Sequence, residues 1–267
     1  MPVYYSAAGE RKEFARKAAN LIRSDIAAKQ NILIKPNLVS ADPYPATTHP
    51  ALLEELIRLL KECGKNIYVA DGPSLERGEN MLRKTRLFEV CRRHGVPLFH
   101  FRNFPKKTVP NSALRYPYRI YRLPFACDYQ ISLPVLKSHV LKSVKMSCAL
   151  KNQFAFIANM DRLKLHLLNR INTAIADINT LIRPDFFIVD AVEVLLGANE
   201  KKYGGFAAKC GTLFCGSDPV ALDGYGFVLL KNAGEKKLAG RSITDVPYIA
   251  EAEKRGLGST SYMLEKI

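Results

Sequence analysis

The strongest constraint on this fold is the regular alternation of short apolar runs with longer amphipathic segments over the first hundred residues. "NILIKPN" (31–37) is an apolar run stopped by proline, and "NIYVADG" (66–72) is a second that ends at Asp71. Both are the length of buried strands. Before the first run, "RKEFARKAANLIRSDIAAK" (11–29) carries Phe14, Ala18, Leu21, Ile22 and Ile26 near helical spacing. Between the runs, "HPALLEELIRLLKECG" opens with Pro50 in its first turn and closes on Gly64, which predicts a helix at both ends. "ENMLRKTRLFEVCRRHG" (79–95) predicts another helix, and "VPLFHF" a third strand. Strands separated by helices of this length pair in parallel through right-handed crossovers.

The pattern then breaks. "RNFPKKTVPNSALRYPYRIYRLP" (102–124) has four prolines and no helical period, so it predicts a loop with a hairpin. "CDYQISLPVLKSH" resumes a buried strand over 129–136, and the stretch running on to Phe156 ends like a buried helix, which could span 142–152. "RINTAIADINTLIR" (170–183) predicts a helix, and "DFFIVDAVEVLLG" (185–197) a strand. "CGTLFCGSDPVALDGYGFVLL" predicts a strand running into a helix capped by Ser217 or Asp218, with Pro219 in its first turn. Asp245 and Pro247 open a final helix. Without an internal repeat or linker, residues 1–267 read as a single α/β domain. Its mostly parallel sheet is flanked by helices on both faces and carries a basic insertion at 102–124.

Composition narrows the class. No run of 18 apolar residues occurs, so no membrane span is expected, and the first residues lack the basic-then-apolar order of a secretory signal. The expected location is the cytoplasm. The six cysteines are scattered without a C-x-x-C pair, which fits free thiols packed as small hydrophobes. Net charge is +15, and its distribution is uneven. Between Val90 and Met160 twelve Lys or Arg face a single acid, Asp128. Such a field draws polyanions, anionic substrates or an acidic partner.

In open α/β sheets, ligands bind beyond the carboxyl ends of the strands. There the sequence offers Lys35 and Asn37, then Asp71, Gly72 and Ser74, then Lys137 and His139. Asp190 and Glu193 follow the strand at 185–190, and Ser217 and Asp218 the one at 211–216. The stretch "LPVLKSHVLKSVKMSCALKNQFAF" (133–156) is the least ordinary, with Lys137, His139, Lys142, Lys145, Lys151 and Asn152 and no acid. If 142–152 is helical, Lys145, Cys148 and Asn152 share a face. Ammonium groups are costly to bury unpaired, so these lysines either reach water or converge on an anion. His139 and His49 are candidates for proton transfer, with Asp71 and Asp190 available to orient a histidine or to bind a metal. No H-x-x-x-H, H-E-x-x-H, Walker A or G-x-G-x-x-G pattern occurs, so neither a metal nor a nucleotide is specified.

Taken together, K-P-N-L, T-H-P, L-P-x-x-K-x-H, L-K-N and D-P-V-A-x-D resemble the signature blocks of the DUF362 family, in the same order and over nearly the whole chain. The matching positions are Lys35, Asn37, His49, Asp71, Lys137, His139, Lys151, Asn152, Asp218 and Asp223. The resemblance implies no defined reaction. Some members add a ferredoxin-like domain with cysteine clusters, which this chain lacks. The family is in turn distantly similar to nickel-pincer lactate racemases, a likeness that implies an enzyme rather than a scaffold and transfers no residue.

Three functions are therefore expected in order. The first is an enzyme or binding protein for a small carboxylate or phosphate. His139, Lys137 and His49 would be catalytic; Lys35, Asn37, Asp71, Lys145, Lys151, Asn152, Asp190 and Asp218 would bind ligand; a divalent metal stays an open option. The second is nucleic-acid binding through "FHFRNFPKK" and "RYPYRIYR", which interleave cations with aromatics. The third is a non-catalytic module that docks an acidic protein. Substrate, reaction and oligomeric state are not specified by the sequence.

Overall fold

The structure is a computed structural model that describes residues 1–7, 9–73, 79–109 and 117–267. In chain order its elements are β1 (Pro2–Ser6), α1 (Arg11–Leu21), β2 (Asn31–Pro36), α2 (Pro50–Glu62), β3 (Asn66–Asp71), α3 (Glu79–Arg83), α4 (Arg86–Arg93) and β4 (Leu98–His100). They continue with β5 (Lys106–Thr108), β6 (Arg119–Tyr121), β7 (Tyr129–Leu133), β8 (Val135–Ser138), β9 (Met146–Ser147), α5 (Ala149–Asn152) and α6 (Asn159–Leu167). The last are α7 (Ile171–Leu181), β10 (Phe186–Leu196), β11 (Phe206–Gly216), α8 (Pro219–Asn232), α9 (Pro247–Lys254) and β12 (Met263–Lys266).

The central sheet runs β12-β1-β11-β10-β7-β2-β3-β4, with β8 beside β10 and β9 beside β8. The α/β reading with a mostly parallel sheet holds. The pairs β10·β7, β7·β2, β2·β3 and β3·β4 are parallel, whereas β11 runs antiparallel to both β10 and β1. Helices cover both faces. Phe14 and Ala18 of α1, Leu52 and Leu56 of α2, and Val90 of α4 form one core layer. Ile175 and Ile178 of α7, Val220 and Phe227 of α8, and Ile249 of α9 form the other. The described part of the 102–124 insertion carries the short antiparallel pair β5·β6, so a hairpin is present there.

Several boundaries differ from the sequence reading, for local reasons. α1 stops at Leu21, although Ile22 and Ile26 stay buried in the following turns. The helix expected over 79–95 is two helices, because Thr85 adopts an extended conformation and caps α4 by accepting a hydrogen bond from the Phe88 N–H. Pro134 separates β7 from β8, and the second piece pairs with the outer half of β10. The 142–152 helix is corrected most. Only Ala149–Asn152 is α-helical, Lys145 takes a left-handed φ of 66°, and Met146–Ser147 form β9 against β8. Lys145, Cys148 and Asn152 therefore share no helical face. α6, β1 and β12 were not anticipated. Among the described residues, no helix is long and apolar enough to cross a membrane.

Candidate functional site

A cavity of about 480 Å³ opens beyond the carboxyl ends of β2, β3, β8 and β10, between the loops that follow them and helix α6. Parallel pairing brings those four strand ends to one edge, where loops carry binding groups on a rigid support. Of the residues singled out in the sequence, Lys35, Asn37, Asp71, His139, Lys151 and Asn152 line this cavity.

Beneath it lies a continuous hydrogen-bonded layer. Lys35 is almost fully buried, with Nζ 2.7 Å from Asp71 Oδ1 and 3.3 Å from Asn152 Oδ1. Asp71 also accepts from the Gly72 N–H at 2.8 Å and, through Oδ2, from the Leu38 N–H at 2.6 Å. Asn152 Oδ1 accepts a second bond from Asn37 Nδ2 at 3.0 Å, and its Nδ2 donates to Ser132 Oγ at 2.9 Å. Asn37 Oδ1 in turn accepts from Lys137 Nζ at 2.5 Å. Thr48 of the T-H-P motif links the layer to β7, accepting from the Asn37 N–H and donating to the Leu133 carbonyl, each at 2.7 Å. So the K-P-N-L, T-H-P and L-K-N motifs are parts of one polar floor that sequence separation hides.

The lysines of the acid-free stretch have different fates. Lys137 is buried behind the cavity wall and donates to Asn37 and to the Ala46 carbonyl at 2.7 Å, but among the described residues it meets no carboxylate at hydrogen-bond distance. Burial pushes its pKa down to about 7, with the Lys151 charge adding to the fall and Glu200 opposing it. Lys142 is exposed, and Lys145 sits half-buried in a turn outside the cavity lining. Lys151 faces the cavity with no hydrogen bond or ion pair among the described residues; its Nζ lies 5.7 Å from the centre of the Phe154 ring. Burial lowers its pKa to about 8, helped by the Arg162 and Lys35 charges.

His139 is held in one tautomer. Its Nδ1 accepts from the Leu141 N–H at 3.1 Å, which leaves the proton of the neutral ring on Nε2. Burial and then the Lys151, His166, Lys137 and Lys237 neighbours push its pKa well below the usual histidine range. The ring is thus a neutral hydrogen-bond donor at physiological pH.

Three sequence candidates lie elsewhere. His49 caps α2, its Nδ1 accepting from the Ala51 N–H at 3.1 Å, and it packs edge-on against Tyr44. Asp190 lies inside β10 rather than at a strand end, because that strand continues to Leu196. It is fully buried and satisfied by Arg11 Nε at 2.6 Å and the Tyr44 hydroxyl at 2.7 Å. Asp218 is at the opposite edge of the sheet, since β11 is antiparallel to β10. It caps α8 by accepting from the Val220 and Ala221 N–H groups, and it accepts from the Ser259 N–H at 3.0 Å. Asp223 lies on the buried face of α8 and accepts from the Leu150 N–H at 3.2 Å, a contact that joins two family motifs. Ser74 lies outside the described residues.

The cavity also uses groups that sequence reasoning missed. Helix α6 contributes Asn159, Arg162 and His166, and the turn after β10 contributes Glu200 and Tyr203. Arg162 donates to the Gly72 carbonyl at 2.7 Å, to the Pro73 carbonyl at 3.0 Å and to Asn159 Oδ1. Its Nε is buried with no partner among the described residues. Positions 159, 162 and 166 share one helical face, so their polar spacing was the available signal. It was masked by the four leucines between 163 and 168.

Asp71 is occupied by three donors, and among the described residues no three His, Cys, Asp or Glu side chains cluster to hold an ion. In the two basic aromatic stretches, Phe101, Tyr118 and Tyr121 are buried in the core, and Arg119 pairs with Asp161.

Fold and site together define an α/β protein with a cation-rich cavity at the carboxyl edge of a mostly parallel sheet. The chain belongs to the family described as "Domain of unknown function (DUF362)", whose sequence pattern matches residues 32–227. Among solved structures, it is similar to the lactate racemase apoprotein from Thermoanaerobacterium thermosaccharolyticum, with 13% identity and a TM-score of 0.49. That match covers 89% of this chain and 55% of the other, so the chain spans about half the length of that protein. No curated protein matches the sequence significantly.

Proposed function

We propose that the cavity binds a small carboxylate or phosphate and presents it to His139. The observation that carries this reading is Lys151, a cation that faces the cavity without an anionic partner among the described residues. Arg162 supports it with a buried Nε that lacks an acceptor among the described residues. A ligand anion would supply the charge-assisted hydrogen bonds that both groups lack. Lys35 and Asp71 serve as the rigid neutral base of the site, since each neutralises the other. His139, neutral and protonated on Nε2, is suited to donate a hydrogen bond to charge that develops on the bound ligand, which is an enzyme's use of an imidazole.

Titration calorimetry in low-chloride buffer with monocarboxylates, dicarboxylates and inorganic phosphate tests the reading. At least one class is expected to bind, and Lys151→Met to abolish binding while the thermal transition is retained. If no anion binds the unaltered protein at millimolar concentration, the reading falls.

A further inference from the structure

The cavity is cationic in its interior and partly apolar where it meets water. Helix α6 shows why. Its Asn159–Arg162–His166 stripe lines the cavity, while Met160, Leu163 and Leu167 form a second stripe at helical spacing beside it. That second stripe is turned to water: Met160 is 51% exposed, Leu163 42% and Leu167 77%, and the adjoining Leu168 is 65% exposed. A surface helix normally buries its leucines and shows its charges. Across the opening stand Val140, 43% exposed, and Tyr203, 50% exposed, both of which line the cavity. Of these, Leu163, Val140 and Tyr203 line the same cavity, and large apolar side chains gathered at one site mark a binding surface, whereas isolated ones do not.

We infer that the ligand is an amphiphile, a single carboxylate or phosphate head on an apolar chain, with the head at Lys151 and Arg162 and the chain passing between Leu163 and Val140 to the mouth. The inference rests on the anion-binding reading above and adds the chemical class of the ligand. Charge complementarity orients the molecule: the interior offers Lys151 and the Arg162 Nε, neither with an acceptor among the described residues, while Leu163, Val140 and Tyr203 give the lining an apolar part beside the exposed Lys202. A compact, highly charged anion would leave that apolar part in water.

The test is the affinity of the intact protein for butyrate, hexanoate, octanoate and decanoate, all below their micelle concentrations, and for the matching alkyl phosphates. Each methylene buried is expected to tighten binding about fourfold, until the chain outruns the apolar part of the lining. Leu163→Ser, an exposed position, is expected to reduce the octanoate-to-butyrate affinity ratio. Equal affinity for butyrate and decanoate overturns the amphiphile while leaving anion binding intact. Failure of every anion to bind removes the anion reading itself. A third outcome is association with phosphatidylglycerol vesicles, abolished by Leu167→Ser, with no chain-length dependence for soluble acids. That result would overturn the proposal in favour of a membrane-surface role for α6.

Discussion

Replacing Asp71 with asparagine removes the carboxylate that neutralises Lys35 while keeping the side-chain volume. The two groups are 1% and 3% exposed and lie 2.7 Å apart. In the variant, a buried ammonium loses its counter-charge. The new amide must also serve donors that now approach both carboxylate oxygens, from Gly72 and from Leu38. Breaking one side of a buried pair costs about 3–5 kcal/mol. Orphaning the Leu38 N–H adds about 1 kcal/mol or more. A total of roughly 4–6 kcal/mol is a large share of the 5–15 kcal/mol typical of a domain. Lys35→Met removes the ammonium instead, and the double variant removes both charges. If the pair is the cause, the double variant should be about 2 kcal/mol or more stabler than the sum of the single costs implies. Urea unfolding followed by circular dichroism measures all four states, with the slope checked for constancy. A cost below about 1 kcal/mol for Asp71→Asn, or additivity within about 0.5 kcal/mol, would refute the reasoning.

Four further outcomes follow from the same geometry. Lys137 and Lys151 have folded pKa values of about 7 and about 8, below the 10.5 of a free lysine. Between those limits the unfolded chain holds more protons, so stability of the ligand-free protein should rise with pH from about 7 to about 10 and fall again on acidification; a flat profile in urea titrations would contradict it. Anion affinity should move the other way, weakening about tenfold per pH unit above about 8 as Lys151 loses its charge, which calorimetry across that range reads directly. Asp218→Ala should cost about 1–2 kcal/mol through loss of the α8 cap, yet leave ligand affinity unchanged, because the cap lies at the far edge of the sheet. Gly72→Ala should weaken anion binding: its new Cβ would lie 2.8 Å from the Ala155 carbonyl, forcing a shift of the backbone whose carbonyl holds Arg162. Unaltered affinity there would show that Arg162 is not placed by that loop.

The order of strands and helices was legible because periodicity and punctuation are local properties. Pro36 and Asp71 end strands, Pro50 opens a helix, and the apolar runs between them have one sensible burial. From parallel pairing alone it followed that Lys35, Asn37, Asp71 and His139 would meet at one edge. The direction of β11 was not legible, so Asp218 looked equivalent to them when it is not. Asp190 misled for a related reason: a buried acid inside a strand resembles a strand end until its partners, Arg11 and Tyr44, are seen. The acid-free stretch from Leu133 to Phe156 shows the same division. The sequence by itself determined that its lysines had to reach either water or negative charge, since composition fixes how many charges must be accommodated. Tertiary structure alone decided which were answered. Asp71, 36 positions away from Lys35, neutralises that lysine rather than any of the stretch. Among the described residues Lys137 is met by neutral oxygens, Lys142 by water, and Lys151 by an open cavity. The physical reason is that hydrophobic periodicity acts over a few residues, whereas a buried charge is satisfied by whatever the closed sheet carries past it.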